Sequence, residues 1–440
     1  MKQDKIVIVG AGVAGINAAT KLVDNGYPGE LITIIDKGSD PHNRLPEEVM
    51  TGMLGAGGWS DGKLTYHTAI GGQLSKYCGE EKAMELMKQV VDNFTRFHPK
   101  PEEIFCSDPQ EEPEFIKPYF GLRMFPVWHI GSNFLHEIAK NWYSYLVHNG
   151  VRFNWDTEVV SIDFETNHFE YIEMGGDDTD TLIGQYDTLI FAVGKSGIDF
   201  AQQLANDYNL PDEPKPVQIG VRFEAPQKHF QQLIDVSYDF KLYRKFDNGV
   251  SLRSFCTNNN AAYVAVEETY GNVSYNGHAK KGEEFRNNMT NFSILMEIPG
   301  IGDPFEWSRK LVSNVNSSGT GFYYSPSRRP SKTSEGETVS TTPISSRDLE
   351  YIVKPAFKGY FVYIENFIED MKKVFPTLEH DWGIYIPEVK YLSPEPLVDY
   401  TNLALTTFPN VHFVGDALSA RGITVSGAQG IYVAESILNN

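Results

Sequence analysis

Ile6-Val7-Ile8-Val9 is a wholly apolar, mostly β-branched run, the pattern of a strand buried on both faces of a parallel sheet. Gly10-Ala11-Gly12-Val13-Ala14-Gly15 follows at once, and Ile16, Ala19, Leu22 and Val23 then recur at helical spacing until Asn25-Gly26. That pair predicts a left-handed helix end. A second apolar strand, Leu31 to Ile35, ends on Asp36. From Gly71 to Gly131 the pattern turns helical and acidic, broken by Pro99, Pro101, Pro109, Pro113 and Pro118. Met84, Met87, Val90, Val91 and Phe94 keep helical spacing there and read as a core stripe. A helix is expected over 134–148 and a strand pair over 159–164 and 169–173. Pro211 to Pro216 marks a crossing point. Beyond it, residues 217 to about 390 alternate as strands do, as in Val217-Gln218-Ile219-Gly220-Val221-Arg222-Phe223. Within this stretch, 313–346 is polar and carries Arg328, Arg329 and Lys332; it reads as a solvated loop, or alternatively as a lid or anion-binding loop. Val411-His412-Phe413-Val414 is another buried strand, followed by Gly415-Asp416. Gly427-Ala428-Gln429-Gly430 then opens a helix with Ile431, Ala434, Ile437 and Leu438 on one face.

The strand–glycine turn–helix–strand order at the start is a complete dinucleotide fingerprint in its required context. Gly10 allows the tight turn, Gly12 lets a diphosphate approach backbone, and Gly15 lets helix and strand pack closely. Val13 and Ala14 place amides at the helix N-terminus, where they attract anions. Asp36, about 20 residues on and followed by Lys37, would accept hydrogen bonds from ribose hydroxyls.

Charge narrows the partners. Lys and Arg number 38 against 58 Asp and Glu in 440 residues, a formal net charge of −20. This argues against a general binder of nucleic-acid backbone while permitting a local basic patch. Cys78, Cys106 and Cys256 stand far apart, which argues against a disulfide framework or paired-thiol redox centre and suits a cytoplasmic setting. Neither a membrane span nor a leader is expected. The histidines show no metal-ligand spacing, so no metal site is expected.

The two ends together carry a resemblance. Gly10 to Asp36, paired with the strand, Gly415-Asp416 and the glycine-rich helix start, resembles FAD-dependent oxidoreductases of the two-dinucleotide-binding-domain type. Thr188 to Gly194 is similar to the returning strand of that fold, with Val193 where threonine is usual. A narrower resemblance runs through Gly57-Gly58-Trp59-Ser60-Asp61-Gly62-Lys63-Leu64, which looks like the Ser-Asp-Gly-Lys-Leu segment of a family of predicted FAD-dependent dehydrogenases. Ala192-Val193-Gly194-Lys195-Ser196-Gly197 and Gly220-Val221-Arg222-Phe223-Glu224 follow in the expected order, whereas Gly415-Asp416-Ala417 departs from that family's Gly-Glu-Gly.

The resemblance implies an α/β chain with FAD as cofactor. Its Rossmann-like FAD-binding domain is built from segments 1–70, 132–214 and 393–440, with a helical insertion over 71–131 and a sheet-based α+β substrate domain over 215–392. It gives Asp416 to the flavin ribityl chain, and the backbone of Ser426, Gly427, Ala428 and Gln429, with Gly415, to the isoalloxazine edge. Gly58, Ser60, Asp61, Val159, Ala192 and Gly194 complete the implied cofactor contacts. Lys63 and Arg421 are the implied catalytic groups, Lys63 beside flavin N5 and Arg421 toward a substrate carboxylate or the diphosphate. Arg222 and Arg253 are expected as structural ion-pair partners or as ligands for an acidic substrate, and Cys256 as an inert thiol.

No second strand-borne G-x-G-x-x-G follows, so a dedicated NAD(P)H domain is not expected. The implied activity is hydride transfer between a small or tethered substrate and flavin N5, as amine or amino-acid oxidation or enoate reduction. Oxygen, a quinone or a partner protein would take the electrons. A flavoprotein modifying nucleic-acid bases, and a non-catalytic FAD-binding protein, are the alternatives.

Overall fold

Strand Ile6–Val9 forms the middle of a five-stranded parallel sheet, because all four of its side chains are apolar and need cover on both faces. The order across the sheet is Val411–Phe413, Thr188–Phe191, Ile6–Val9, Ile32–Ile35, Arg152–Asn154. Register is fixed by Ile6 opposite both Thr188 and Ile32. The computed structural model describes residues 3–45, 48–175, 180–213, 216–269, 271–280, 283–316, 319–333, 336–390 and 395–439. The chain divides into two units. The first comprises Met1–Cys106, Pro126–Pro214 and Ser393–Asn440, the second Ser107–Phe125 and Lys215–Leu392.

In the first unit, helix Val13–Asp24 and the C-terminal helix Ile423–Leu438 pack backbone against backbone. A Cβ on Gly430 would stand 2.0 Å from the Ala14 carbonyl oxygen. Helix Glu80–Phe97 lies on the same pair, with Val90 Cγ2 2.8 Å from where a Cβ on Gly427 would project. Its buried stripe of Leu86, Met87, Val90, Val91 and Phe94 belongs to the core that holds Ile6 and Leu189. Trp142, on helix Leu135–His148, meets Phe94 edge-on and donates from Nε1 to Thr20 Oγ1 at 2.7 Å.

The expected helical insertion over 71–131 is therefore divided. The methionine–valine stripe is part of the nucleotide unit's own core, since only the groove beside the two glycine-bearing helices buries it. Ser107–Phe125 belongs to the second unit, where Gly121–Met124 pairs with Phe240–Lys245 as the edge strand of its sheet. We predict that Gly430→Ala lowers stability by about 3 kcal/mol, the upper end of overpacking costs, because two helix backbones must separate. Thermal unfolding of the variant measures it; an unchanged midpoint would contradict the helix contact.

The second unit is built on an eight-stranded sheet. Its central strand Val217–Pro226 runs antiparallel to Met289–Ile298 and Gly383–Lys390. Alternation sorts this strand into two faces. Ile219, Val221 and Phe223 join a core with Leu311 and Val315 of helix Pro304–Val315 and Phe367 and Met371 of helix Phe361–Val374. Arg222 and Glu224 point to the other face. There Arg222 Nε lies 2.9 Å from Glu388 Oε2, the buried structural ion pair expected as one reading of Arg222.

Within 313–346, Ser325, Arg328 and Ser331 are tied to neighbouring elements, while Ser327, Arg329, Lys332 and residues 336–338 stay exposed. Ser325 Oγ donates to the Trp382 carbonyl at 2.5 Å, Arg328 pairs with Asp381 at 2.7 Å, and Ser331 N donates to Tyr385 Oη at 2.7 Å. Serines and an arginine that look like solvated loop chemistry in sequence here satisfy the neighbouring strand and turn. Among the described residues no helix is long and apolar enough to cross a membrane.

Candidate functional site

The glycine turn after Ile6–Val9 opens onto a cavity of about 380 Å³ within the first unit. Three glycines divide the work there. Gly10 has φ +109°, and a Cβ on it would meet the Ala192 carbonyl oxygen at 2.5 Å, so the turn requires glycine. A Cβ on Gly15 would lie 2.2 Å from the Gly10 oxygen and 2.9 Å from Ile8 Cγ2, so this glycine serves helix–strand packing. Gly12 differs. Its φ is −65°, and the nearest atom to an added Cβ is the Ala192 oxygen at 3.9 Å. The space in front of Gly12 is open.

Gly12 is also the N-cap of helix Val13–Asp24 and makes no side-chain cap. The first amides of that helix are thus left for a ligand, and the helix dipole favours an anion. The C-terminal helix brings a second such end. It starts at Ile423 behind Gly422, again without a side-chain cap, and Gly422, Ile423 and Ser426 line the same cavity.

Asp36 closes one end of the cavity through three backbone amides. Its Oδ2 accepts from Ala11 N at 2.7 Å, and Oδ1 accepts from Gly38 N and Gly52 N, each at 2.8 Å. The carboxylate therefore holds three chain segments together as well as facing the cavity. Leu54 N donates to the Ala11 carbonyl at 2.8 Å, which fixes the loop from Met50 to Gly57 as one wall. Beside Asp36, Lys37 Nζ lies 3.4 Å from Glu158 Oε1 and from the Ser196 carbonyl oxygen. At the other end, Asp416 lines the cavity from the turn after Val411–Phe413. Burial pushes its carboxyl above the ordinary range, and the charges of Arg421 and Lys195 pull it back.

Of the residues expected from sequence, Gly10, Gly12, Val13, Ala14, Asp36, Lys37, Val159, Ala192, Gly194, Gly415, Asp416 and Ser426 line this cavity. Gly15, Gly58, Ser60, Asp61, Lys63, Arg421, Gly427, Ala428 and Gln429 do not. Gly58 lets the short helix Gly57–Ser60 pack on Leu54, whose Cβ would be 2.5 Å from an added one. Ser60 Oγ donates to the Ala56 carbonyl, Asp61 caps the C-terminus of that helix, and Lys63 sits opposite His129 in a strand pair.

Gly427, Ala428 and Gln429 are inside the C-terminal helix, one turn past its start. The glycines there answer to helix packing, as Gly430 does, and Gln429 Oε1 accepts from Gly415 N at 2.8 Å, a support for the Asp416 turn. Arg421 N donates to the Gly71 carbonyl at 2.5 Å, and its guanidinium acts on the cavity through its charge on Asp416. Sequence reading missed the loop from Met50 to Leu54 together with Lys195 and Ser196, all of which line the cavity. The signal for the first was present as Gly52 and Gly55, which both take positive φ.

No protein-family model matches the chain, and no curated protein matches it in sequence. Solved structures resemble it over its whole length at low identity. A glycine oxidase from Geobacillus kaustophilus is 13% identical with a TM-score of 0.43, covering 100% of this chain and 96% of that one. A mutant of the halogenase PltM in complex with FAD is 12% identical at 0.41, covering 99% and 68%. A flavoprotein/dehydrogenase from Cytophaga hutchinsonii is 10% identical at 0.37, covering 99% and 79%. At this level of likeness none of them assigns an activity or a cofactor to this chain.

Proposed function

We propose that the first unit binds FAD and that the chain is a FAD-dependent oxidoreductase acting on a small molecule. The observation that carries this reading is the open space before Gly12, between two uncapped helix N-termini, with Asp36 at the end of the second strand. One helix start suits a diphosphate; a second, with Asp416 beside it, suits the polyol and ring edge that a flavin dinucleotide adds. When bound, FAD supplies the hydride-accepting chemistry.

The chain's own share is positional. Val13 and Ala14 offer amides to the diphosphate, and Asp36 takes the ribose while keeping its three backbone partners. Asp416 faces the polyol. Lys195, whose charge acts on Asp416, adds a positive charge to that end of the cavity. The substrate class this reading favours is an amine or amino acid to be oxidised, or an enoate to be reduced. The acceptor is oxygen, a quinone or a partner protein.

Four of the seven basic residues that would form a nucleic-acid patch are paired with carboxylates, which leaves Arg329, Lys332 and Lys358 to carry that alternative. Lys354 pairs with Glu350 and Glu365, Lys372 with Glu369, Lys373 with Asp370 and Arg328 with Asp381.

Purified protein is expected to be yellow, with flavin bands near ~375 and ~450 nm that bleach anaerobically with one of these substrate classes. Colourless protein that takes up no added FAD defeats the reading. Bound flavin that, once photoreduced, passes its electrons to no acceptor leaves the non-catalytic alternative instead.

A further inference from the structure

Arg44 does not line the cavity, yet it holds one of its walls. The side chain is 5% exposed. Nε donates to the Glu48 carbonyl at 2.8 Å, Nη1 to Met53 at 2.7 Å and Nη2 to Val49 at 2.9 Å. These carbonyls belong to the loop whose Gly52 amide reaches Asp36 and whose Leu54 amide reaches Ala11. A planar fork of donors is what such a set of acceptors requires.

The same guanidinium lies 4.1 Å from the Trp59 ring centroid, and the His136 ring stacks on Trp59 at 3.8 Å and 17°. Two flat groups this close to one indole must occupy opposite faces. The charged groups facing His136 are Arg44, across the indole, and Lys140, on its own helix; both are cations. With burial, they hold the imidazole below its ordinary value, against a hydrogen bond involving the Trp59 backbone.

We propose that Arg44 is a positioning residue for the dinucleotide cradle, and that the Arg44–Trp59–His136 stack weakens cofactor binding when His136 takes a proton. The proposal rests on the reading that the first unit binds FAD. Protonation places a cation on each face of one indole; Asp36 and Glu48 face Arg44 and offset part of its charge, and His136 is half-buried, so the repulsion is moderate in size. Helix Leu135–His148 is fixed by Leu135, Ile138, Ala139 and Trp142, all buried in the core. The loop held by Arg44 therefore yields, carrying Gly52 away from Asp36.

The test is FAD titration of cofactor-free protein, by flavin fluorescence, from pH 8 to pH 5.5. Wild type should lose about threefold in affinity over that range, because an imidazole held below its ordinary value is only partly protonated at pH 5.5, whereas His136→Phe, which keeps a flat uncharged ring, should show no such loss. Arg44→Lys keeps the charge but not the fork, and should weaken binding about tenfold at pH 8. A His136→Phe curve parallel to wild type, confirmed with His136→Gln, or an Arg44→Lys variant that binds as tightly as wild type, overturns the proposal. Wild type that binds no FAD at any pH defeats the cofactor reading instead. Hydrogen exchange at the Gly52 and Leu54 amides of cofactor-free protein then decides the stack by itself. Protection lost at pH 5.5 in wild type and kept in His136→Phe supports it; equal protection in both overturns it.

Discussion

Gly12→Asp should yield a folded protein that no longer takes up FAD. The two halves of this expectation have separate causes. Folding is spared because Gly12 has φ −65°, ordinary for any residue, and an added Cβ finds no atom closer than 3.9 Å. An aspartate there can also cap the helix it begins, which stabilises by about 1 kcal/mol. Binding is lost because the same side chain fills the space for the diphosphate and sets a carboxylate beside its negative charge. We expect affinity to fall by more than about 1,000-fold, or over about 4 kcal/mol, as for a buried like-charge contact. Retained far-ultraviolet dichroism and an unchanged or raised unfolding midpoint, with no flavin absorbance after dialysis, is the expected result. Gly15→Ala should behave in the opposite way, since its Cβ would stand 2.2 Å from the Gly10 oxygen and the fold itself must give. A Gly12→Asp protein that stays yellow would place the cofactor elsewhere.

Glu224→Gln is expected to remove a large pH dependence of stability in the second unit. Glu224 is fully buried on strand Val217–Pro226. Its Oε1 accepts from Ser331 Oγ at 2.5 Å, while Oε2 is buried without a hydrogen-bond partner among the described residues. Burial pushes the carboxyl up to about 7, with Ser331 and the charge of Arg328 opposing. The phenol of Tyr385 is in turn raised, first by burial and next by Glu224.

A carboxyl raised in the folded state keeps its proton there after the unfolded chain has released it. Its stabilising contribution is therefore complete below the ordinary value of 4.5 and lost as pH rises toward 7. Over that window wild type should lose about 3 kcal/mol relative to Glu224→Gln, at 1.36 kcal/mol per pH unit. Glutamine keeps the acceptor for Ser331 and carries no charge to bury. Urea unfolding of both proteins at pH 5, 6, 7 and 8 measures the difference, which should widen with pH and level off above about 7. A constant difference across this range would contradict the buried, proton-bearing carboxyl.

How much of the site could be read in sequence depended on whether a residue acts locally or across the fold. Gly10, Gly12 and Gly15 do their work within one strand–turn–helix, and Asp36 ends the next strand. Such short-range chemistry leaves a spacing that is legible in one dimension. The Gly427 to Gln429 segment reads two ways in sequence because glycine has two uses. At a helix start it admits a ligand, and within a helix it admits another helix; only the contacts of Val90 and Ala14 show that the second applies here. Lys63 and Asp61 lie outside the cavity, polar groups beside a glycine-rich stretch whose cavity-facing part lies earlier, from Met50 to Gly57.

The sequence by itself determined the βαβ unit, the alternating strand of the second unit and the chemistry available at each end of the chain. These follow from hydrophobic period and from glycine's missing Cβ, both properties of consecutive residues. Tertiary structure alone decided that helix Glu80–Phe97 belongs to the nucleotide unit's core and that Ser107–Phe125 belongs to the other unit. It also decided which arginine organises the cradle. Arg44 is an unremarkable surface-like residue in the sequence, and becomes a buried hub only because Glu48, Val49 and Met53 turn their carbonyls toward it and Trp59 arrives from the next helix. Such a role depends on several groups meeting at one point, and no spacing along the chain encodes that.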